Sequence, residues 1–260
     1  MAGVHTAAQR GFSAEAASYA RGRPGYPAEL AKWLGRELEL RPQTSVVDLG
    51  AGTGKFTRLL FETGAAVIAV EPIEAMRARL VADLPPVRTL AGTAEAMALE
   101  QDSVDAVVCA QAFHWFATEA ALTEIHRVLK PGGRLGLIWN VRDESVDWVA
   151  EITRIVTPYE ADAPRFYKSD WRKAFRGGLF SAMEMTHFSH GHAGSPEEVI
   201  LDRFLSVSFI AALPAAEKSV VEARLRPLVA THPELRGRQE IVFPYRTEAY
   251  SCRALPQDLA

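Results

Sequence analysis

The chain has little cysteine, no long apolar run and no excess of positive charge, and each shortage excludes a class of protein. Two cysteines in 260 residues, Cys109 and Cys252, are too few for a disulfide framework or a thiolate metal centre. No apolar run reaches the roughly 18 residues of a membrane-spanning helix. The first twelve residues, MAGVHTAAQRGF, lack the basic start and apolar centre of a signal peptide. We therefore expect a soluble cytoplasmic protein with no metal site and no membrane partner.

The charge balance argues against a nucleic-acid partner. The 29 basic and 32 acidic side chains leave a formal charge of −3. No general basic field is therefore available to hold a phosphate backbone. The length suffices for one large domain with its own core, or for one domain with a cap.

Strand-like and helix-like segments alternate regularly between residues 44 and 140. The predicted strands lie at 44–50, 65–72, 87–92, 104–111 and 134–140. The helices predicted between them lie at 55–64, 73–84 and 118–130, and PGG (131–133) is predicted to be a turn. Strands that are apolar on both faces and alternate with helices indicate an α/β fold, with a mostly parallel sheet covered by helices on both faces. Such sheets bind ligands at the carboxyl ends of their strands, near the point where strand order reverses.

After residue 140 the pattern is less regular. Further helices are predicted at 145–156, 195–213 and 215–232, and further strands at 182–190 and 240–253. We expect these strands to close the same sheet with an antiparallel strand, and the helices to cap the crevice. The predicted division of this single domain is an N-terminal segment over the site (1–30), a ligand-binding core (31–145), and a part with cap helices and the last two strands (146–260).

The first predicted strand ends in VVDLGAGTGKF, where glycine recurs at alternate positions behind Asp48. Glycine lets the backbone turn sharply and lets another molecule approach it closely. A phosphate-binding P-loop is not matched, because Leu49 replaces its first glycine and Phe56 its hydroxyl residue. A dinucleotide fingerprint would need a third glycine where Lys55 stands, which argues against a nicotinamide or flavin ligand.

Glu71 ends the second predicted strand, about 20 residues after the glycine turn, which is the separation at which a carboxylate accepts hydrogen bonds from ribose hydroxyls. A carboxylate there would repel a 2′-phosphate. The pattern therefore predicts a nucleoside ligand with a free ribose and no pyrophosphate. The alternative is that Glu71 only caps the turn that follows at Pro72.

Several segments in this order match one family. They are VVDLGAGTGKFT, AVEP, GTAEAMAL, SVDAVVCAQAFHWF and EIHRVLKPGGRLGLIWN, between about 45 and 140. On these motifs the chain resembles the Rossmann-like (class I) S-adenosylmethionine-dependent methyltransferases. Through YARGRPGYP and WNVRDESVDW it is similar, more weakly, to the type-11, trans-aconitate methyltransferase-like small-molecule subgroup. The resemblance implies a Rossmann-like fold, methyltransferase activity of class EC 2.1.1, S-adenosyl-L-methionine as cofactor and S-adenosyl-L-homocysteine as product.

The resemblance also implies roles for the glycine turn. Asp48 would bind the ammonium end of the cofactor, directly or through water, although it could instead hold only the amides of the turn. Gly50 and Gly52 would allow the cofactor to contact the backbone, and Gly54 would allow a tight entry into the next helix. Glu71 would bind the ribose.

The adenine ring is expected beside GTAE. Ala94 would use its backbone N–H, and Thr93 and Glu95 would help to read the ring, unless these residues only begin a helix. In the N-terminal segment, Arg21 or its neighbour Arg23 would pair with a carboxylate of the cofactor, unless they lie in a solvated basic turn.

The segment QAFHWF is expected to reach the region of the site where the methyl group is transferred. Gln111 would offer its backbone carbonyl to the amino group of the cofactor. His114 is the candidate catalytic residue, as a general base, or alternatively a packed histidine beside an aromatic wall. The residues expected around the acceptor are Tyr19, Trp115, Trp139 and Arg142, of which Arg142 could bind an anionic substrate.

A small organic acceptor, methylated by in-line displacement, is the expected substrate. The chain lacks the Pro-Pro-aromatic motif of base-amino methyltransferases, the Pro-Cys of cytosine-ring enzymes and the glutamate pair of protein-arginine enzymes. Two other interpretations stay open at this point: a cofactor-binding protein without catalysis, and a nicotinamide-dependent oxidoreductase.

Overall fold

A computed structural model describes residues 23–256, in which seven strands form one sheet. The strands are β1 Ser45–Leu49, β2 Ala66–Val70, β3 Arg88–Leu90, β4 Val104–Ala110, β5 Leu129–Arg142, β6 Glu184–Gly194 and β7 Ile241–Arg253. Their order is β3-β2-β1-β4-β5-β7-β6; β1 to β5 pair in parallel, and β7 runs antiparallel to both β5 and β6. The predicted α/β fold with a closing antiparallel strand is confirmed. Two predicted site residues, Tyr19 and Arg21, lie outside the described residues.

Most of the helices correspond to predicted ones, but the first, Glu29–Glu37, was not predicted. The helices are α1 Glu29–Glu37, α2 Lys55–Glu62, α3 Glu74–Asp83, α4 Glu119–Val128, α5 Asp147–Val156, α6 Arg203–Leu205, α7 Ser208–Ala211 and α8 Ala215–Thr231. Short 3-10 segments occupy Phe113–Trp115, Thr157–Tyr159, Phe166–Lys168 and Asp170–Gly177. Within the part of the chain that is described, no helix combines the length and apolar character needed to cross a bilayer.

Two sequence predictions need correction. The predicted turn at residues 131–133 lies inside β5, where the pairing with β4 shifts its register. The predicted single helix at 195–213 is divided into a π-helix, Glu197–Asp202, followed by α6 and α7. The extended backbone of Val207 (φ −63°, ψ 134°) separates α6 from α7.

The two faces of the sheet bury separate apolar clusters. Consecutive strand residues point to opposite faces, so Val46 packs with α1, α2 and α3, whereas Val47 packs with α4. A third cluster joins α5, α8 and the 197–210 region to Phe243 and Tyr245 at the start of β7. Because β7 is antiparallel to β5, this third cluster lies at the carboxyl end of β5. The C-terminal half therefore packs beside the edge of the sheet where ligands are expected.

Candidate active site

A cleft of about 330 Å³ opens at the carboxyl ends of β1, β2 and β4. This is the point where strand order reverses, since β1 lies between β2 on one side and β4 on the other. The predicted residues that line the cleft are Asp48, Gly50, Gly52, Glu71, Thr93, Ala94, Glu95, Gln111 and Trp115. Residues from distant parts of the chain therefore meet as the motifs predicted.

The glycine turn after β1 has left-handed backbone at all three glycines, with φ of +75° at Gly50, +58° at Gly52 and +85° at Gly54. A Cβ at Gly50 would stand 2.8 Å from the Cβ of Ala112, so the turn packs too closely for a larger residue. Gly54 precedes α2 and does not line the cleft. Its role is packing, because a Cβ there would lie 2.9 Å from Cγ of Leu80.

Glu71 forms a hydrogen bond with the glycine turn and also lines the cleft. Its Oε2 accepts a hydrogen bond from the Gly52 N–H (2.9 Å), and its Oε1 accepts one from the Ile73 N–H (2.8 Å). Burial raises the pKa of this carboxyl, and the two backbone hydrogen bonds and nearby Arg77 oppose that rise. Glu71 thus caps the turn at Ile73 and also faces the cleft. Each carboxylate oxygen keeps a second lone pair for a ligand hydroxyl.

Asp48 is 1% exposed and only partly satisfied. Its Oδ2 accepts a hydrogen bond of 2.6 Å from the Thr57 hydroxyl, whereas its Oδ1 is buried and has no hydrogen-bond partner among the described residues. Burial raises the pKa of Asp48 to about 7; the Thr57 hydrogen bond opposes the rise and the charge of Glu71 adds to it. An orphaned carboxylate oxygen in the cleft wall is suited to a cationic group or a water molecule.

The GTAE segment forms a tight bend, and its interpretation as a helix start is wrong. Thr93 and Ala96 exchange backbone hydrogen bonds of 3.2 Å in an isolated antiparallel bridge. The bend turns Thr93, Ala94 and Glu95 towards the cleft, and Ala94 is 4% exposed.

Gln111 stands at the end of β4 with a strained backbone, φ +57°. Its N–H donates to the carbonyl of Ile138 (2.8 Å), and its side-chain amide donates to the carbonyl of Asn140 (3.3 Å). Asn140 also lines the cleft, where its own amide donates to the carbonyl of Gly25 (2.8 Å). Left-handed backbone at a non-glycine residue is typical of functional sites.

Three further predicted residues are not among those that line the cleft: His114, Trp139 and Arg142. Trp139 is 1% exposed and packs among aromatic rings, so its predicted place around the acceptor is corrected. Its indole N–H donates to Nδ1 of His114 at 3.1 Å. Burial, followed by the positive charges of Arg165 and Arg23, lowers the pKa of His114 to about 3.

The sequence analysis missed two basic residues of the cleft, Lys55 and Arg203. Lys55 donates to the carbonyl of Arg23, and burial, Arg23 and Arg203 lower its pKa to about 8. The signal for Lys55 was its place inside the glycine motif. The signal for Arg203 was a charged residue between the apolar residues of VILDRFL.

Comparisons with known proteins agree with this geometry. A model of the methyltransferase domain family matches residues 47–137. An uncharacterized methyltransferase-like protein of Schizosaccharomyces pombe is 38% identical over 248 residues, which cover 94% of this chain and 96% of that protein. An uncharacterized methyltransferase of Mycobacterium tuberculosis is 40% identical over 236 residues, covering 91% and 92%. The chain belongs to the methyltransferase family, and its cofactor is S-adenosylmethionine.

Solved structures support the fold. A candidate type II methyltransferase from Anaeromyxobacter dehalogenans aligns with a TM-score of 0.64 and 25% identity, covering 90% of this chain and 99% of that one. The residues of the cleft fit the cofactor. Among the described residues Oδ1 of Asp48 has no hydrogen-bond partner, and Glu71 lines the cleft with a lone pair left on each carboxylate oxygen.

Proposed function

We propose that this S-adenosylmethionine-dependent methyltransferase methylates a small organic acceptor by in-line displacement, as in the trans-aconitate methyltransferase-like subgroup. The observation that carries the proposal is Glu71, a buried carboxylate that is fixed by the N–H groups of Gly52 and Ile73 and still lines the cleft. This arrangement suits a ribose with free hydroxyls. Family membership favours methyl transfer over the oxidoreductase alternative.

Different residues of the cleft contact different parts of the cofactor. Glu71 accepts hydrogen bonds from the ribose hydroxyls, Asp48 accepts one from the ammonium end, and the backbone of Ala94 lies where the adenine is read. When bound, the cofactor supplies a methyl group on a sulfonium sulfur whose leaving group is a neutral thioether. The acceptor would supply the lone pair that takes this methyl group. The protein's task is to align the acceptor and exclude water.

The acceptor is proposed to be small because the whole cleft measures about 330 Å³ and part of its wall is aromatic. Trp115 and Phe116 line it, and aromatic faces suit a cationic sulfonium centre. A nucleic acid would need a basic field that a chain of net charge −3 does not offer. A cytoplasmic location is included in the proposal and is supported by the two free, buried thiols of Cys109 and Cys252.

Calorimetric titration with S-adenosylhomocysteine tests the cofactor half of this proposal. The wild-type protein should bind it, and Glu71→Ala should weaken binding about tenfold or more, because two hydrogen bonds to a charged group are lost. Glu74→Ala is the matched control: Glu74 is an exposed acid three residues further on and should leave the affinity unchanged.

Glu71→Ala also frees two backbone N–H groups, so the thermal unfolding of the ligand-free variant is measured beside its affinity. If the variant does not fold, wild-type protein with the 3′-deoxy analogue of S-adenosylhomocysteine makes the same comparison. Equal affinity for the analogue and the parent compound, or binding of reduced nicotinamide nucleotide in their place, would overturn the proposal.

A further inference from the structure

Beyond the cofactor residues, the cap brings arginines together at the carboxyl edge of the sheet. Arg142 ends β5 and Arg203 begins α6. Their guanidinium carbons lie 5.6 and 5.5 Å from the centroid of the same ring, that of Phe204. Burial, followed by the charge of Arg203, lowers the pKa of Arg142. Two like charges therefore share one apolar surface.

The polar groups of this cluster are not satisfied within the described residues. Nε and Nη1 of Arg203 are buried without a hydrogen-bond partner, and so is the hydroxyl of Tyr245. Tyr245 is 3% exposed and pairs directly with Arg142 across the β5–β7 ladder, so both side chains stand on the same face of the sheet. Buried donors without acceptors are rare in native structures and point to a missing partner.

The nearby acids do not supply that partner. Glu160 is 3% exposed, but it accepts hydrogen bonds from Nε of Arg165 (3.2 Å) and from the Tyr167 hydroxyl. Glu144 is exposed and accepts from the Thr153 hydroxyl. Glu160 thus compensates Arg165, and in the described part of the chain no acid forms a hydrogen bond with Arg142 or Arg203.

We propose that Arg142, Arg203 and Tyr245 form an oxyanion-binding site for a carboxylate or phosphate group of the methyl acceptor. This inference rests on the proposed function. The site is continuous with the cofactor cleft because Arg203 lines that cleft together with Asp48 and Gln111. Guanidinium groups donate in a fixed fork that matches a carboxylate or a phosphate. An acceptor anchored by its anion would present its other end to the cofactor.

Calorimetry on the protein saturated with S-adenosylhomocysteine tests the site, with succinate and inorganic phosphate as separate probes and succinamide as the neutral counterpart of succinate. Wild-type protein should bind at least one of the two anions and not the amide. Arg203→Met should weaken anion binding about tenfold or more, and Tyr245→Phe should weaken it less, since a neutral donor contributes less than a charged one. Arg224→Met, at an exposed arginine of α8, is the matched control and should change nothing.

Stability gives a second measurement that separates binding from misfolding. Removing an uncompensated charge should leave the melting temperature of ligand-free Arg203→Met equal to or above that of the wild type. If Arg203→Met does not fold, anion binding by Tyr245→Phe is the test of the site.

Binding of neither anion, or equal anion binding by the wild type and the variants, would overturn the inference. So would a loss of S-adenosylhomocysteine affinity in Arg203→Met with anion binding intact, because Arg203 would then hold the cofactor. Failure of the wild type to bind S-adenosylhomocysteine would instead overturn the proposed function, and titration of the anions without it would still test this site.

Discussion

At the scale of single residues, the hydrogen bond between Trp139 and His114 decides what the histidine can do. The indole N–H of Trp139 can only donate, so Nδ1 of His114 is the acceptor and the hydrogen of the neutral ring lies on Nε2. A pKa lowered to about 3 keeps the ring neutral at physiological pH. In this arrangement His114 can donate a hydrogen bond from Nε2, but it has no open lone pair for a proton. The general-base interpretation stays a prediction that this geometry disfavours.

Nuclear magnetic resonance of the imidazole nitrogens tests this assignment without an acceptor. We expect the His114 signals to show a hydrogen-free Nδ1 and a protonated Nε2, and to stay in place between pH 5 and pH 8, because the pKa lies far below that range. The His114→Ala spectrum identifies the signals by their loss, and His187→Ala, at an exposed histidine of β6, serves as the control. A His114 signal that moves within this pH range would restore the general-base interpretation.

A site residue could be predicted from the sequence when its neighbours along the chain determine its position, and not when distant segments do. Asp48, the glycines and Glu71 were predicted at the cleft because each stands directly at the end of a recognisable strand. Arg203 and Tyr245 were not, since their positions depend on the packing of a cap against a strand that pairs from the far end of the chain. Trp139 was placed on the correct strand, but the aromatic residues that enclose it come from the Phe166–Trp171 region and leave no trace in the strand's own pattern.

At the scale of elements, the start of α2 is fixed by close packing against α3. Gly54 has φ +85°, and a Cβ would stand 2.9 Å from Cγ of Leu80 and 3.2 Å from Cδ1 of Leu84. Gly54→Ala should therefore lower the free energy of unfolding by about 2–4 kcal/mol, combining left-handed backbone strain with overpacking. Urea unfolding of the ligand-free protein measures this loss.

A second glycine separates these two contributions. Gly178 has φ +70°, but a Cβ there would meet nothing within 4 Å. Gly178→Ala should cost only about 1 kcal/mol, from the backbone alone. Similar losses in the two variants would show that the contact with α3 does not determine how α2 begins.

The segment from 195 to 213 shows where periodicity fails at the element scale. Its apolar residues follow a helical spacing and predicted one helix, but a π-helix has a wider turn than the 3.6-residue period assumes. The buried run Val199, Ile200 and Leu201 packs into the third apolar cluster, and Arg203 follows directly and reaches the cleft. Local sequence carries no signal for a π turn. The sequence therefore predicted that this segment is helical, but it could not predict which way side chains such as Arg203 point.

At the scale of the whole molecule, three apolar clusters surround one polar cleft. Two of them cover the faces of the sheet and the third holds the cap, and the buried carboxylates and arginines lie where these layers meet. The mostly parallel sheet followed from the alternation of segments, because parallel strands need helical crossovers. The charges of the cleft did not follow from composition: a chain of net charge −3 lines one cleft with both acidic and basic side chains. Asp48 and Arg203 keep buried polar atoms without hydrogen-bond partners among the described residues, and such groups lower the stability of the ligand-free protein.

The stability of the ligand-free protein depends on pH because burial of Asp48 disfavours its ionised form. The ordinary pKa of the group is 3.8 and its folded pKa is about 7, so between these values the folded protein keeps a proton that the unfolded chain releases. The free energy of unfolding must then fall as pH rises through this window, by up to about 4 kcal/mol for a shift of this size.

Asp48→Asn, which cannot ionise, should lose less stability than the wild type between pH 5 and pH 8. The measurement is urea unfolding at both pH values, and Asp162→Asn, at an exposed aspartate, should behave as the wild type. If the wild type and Asp48→Asn lost equal stability between these pH values, Asp48 would be ionised in the folded protein throughout, and its unpartnered Oδ1 would need a cation other than the cofactor.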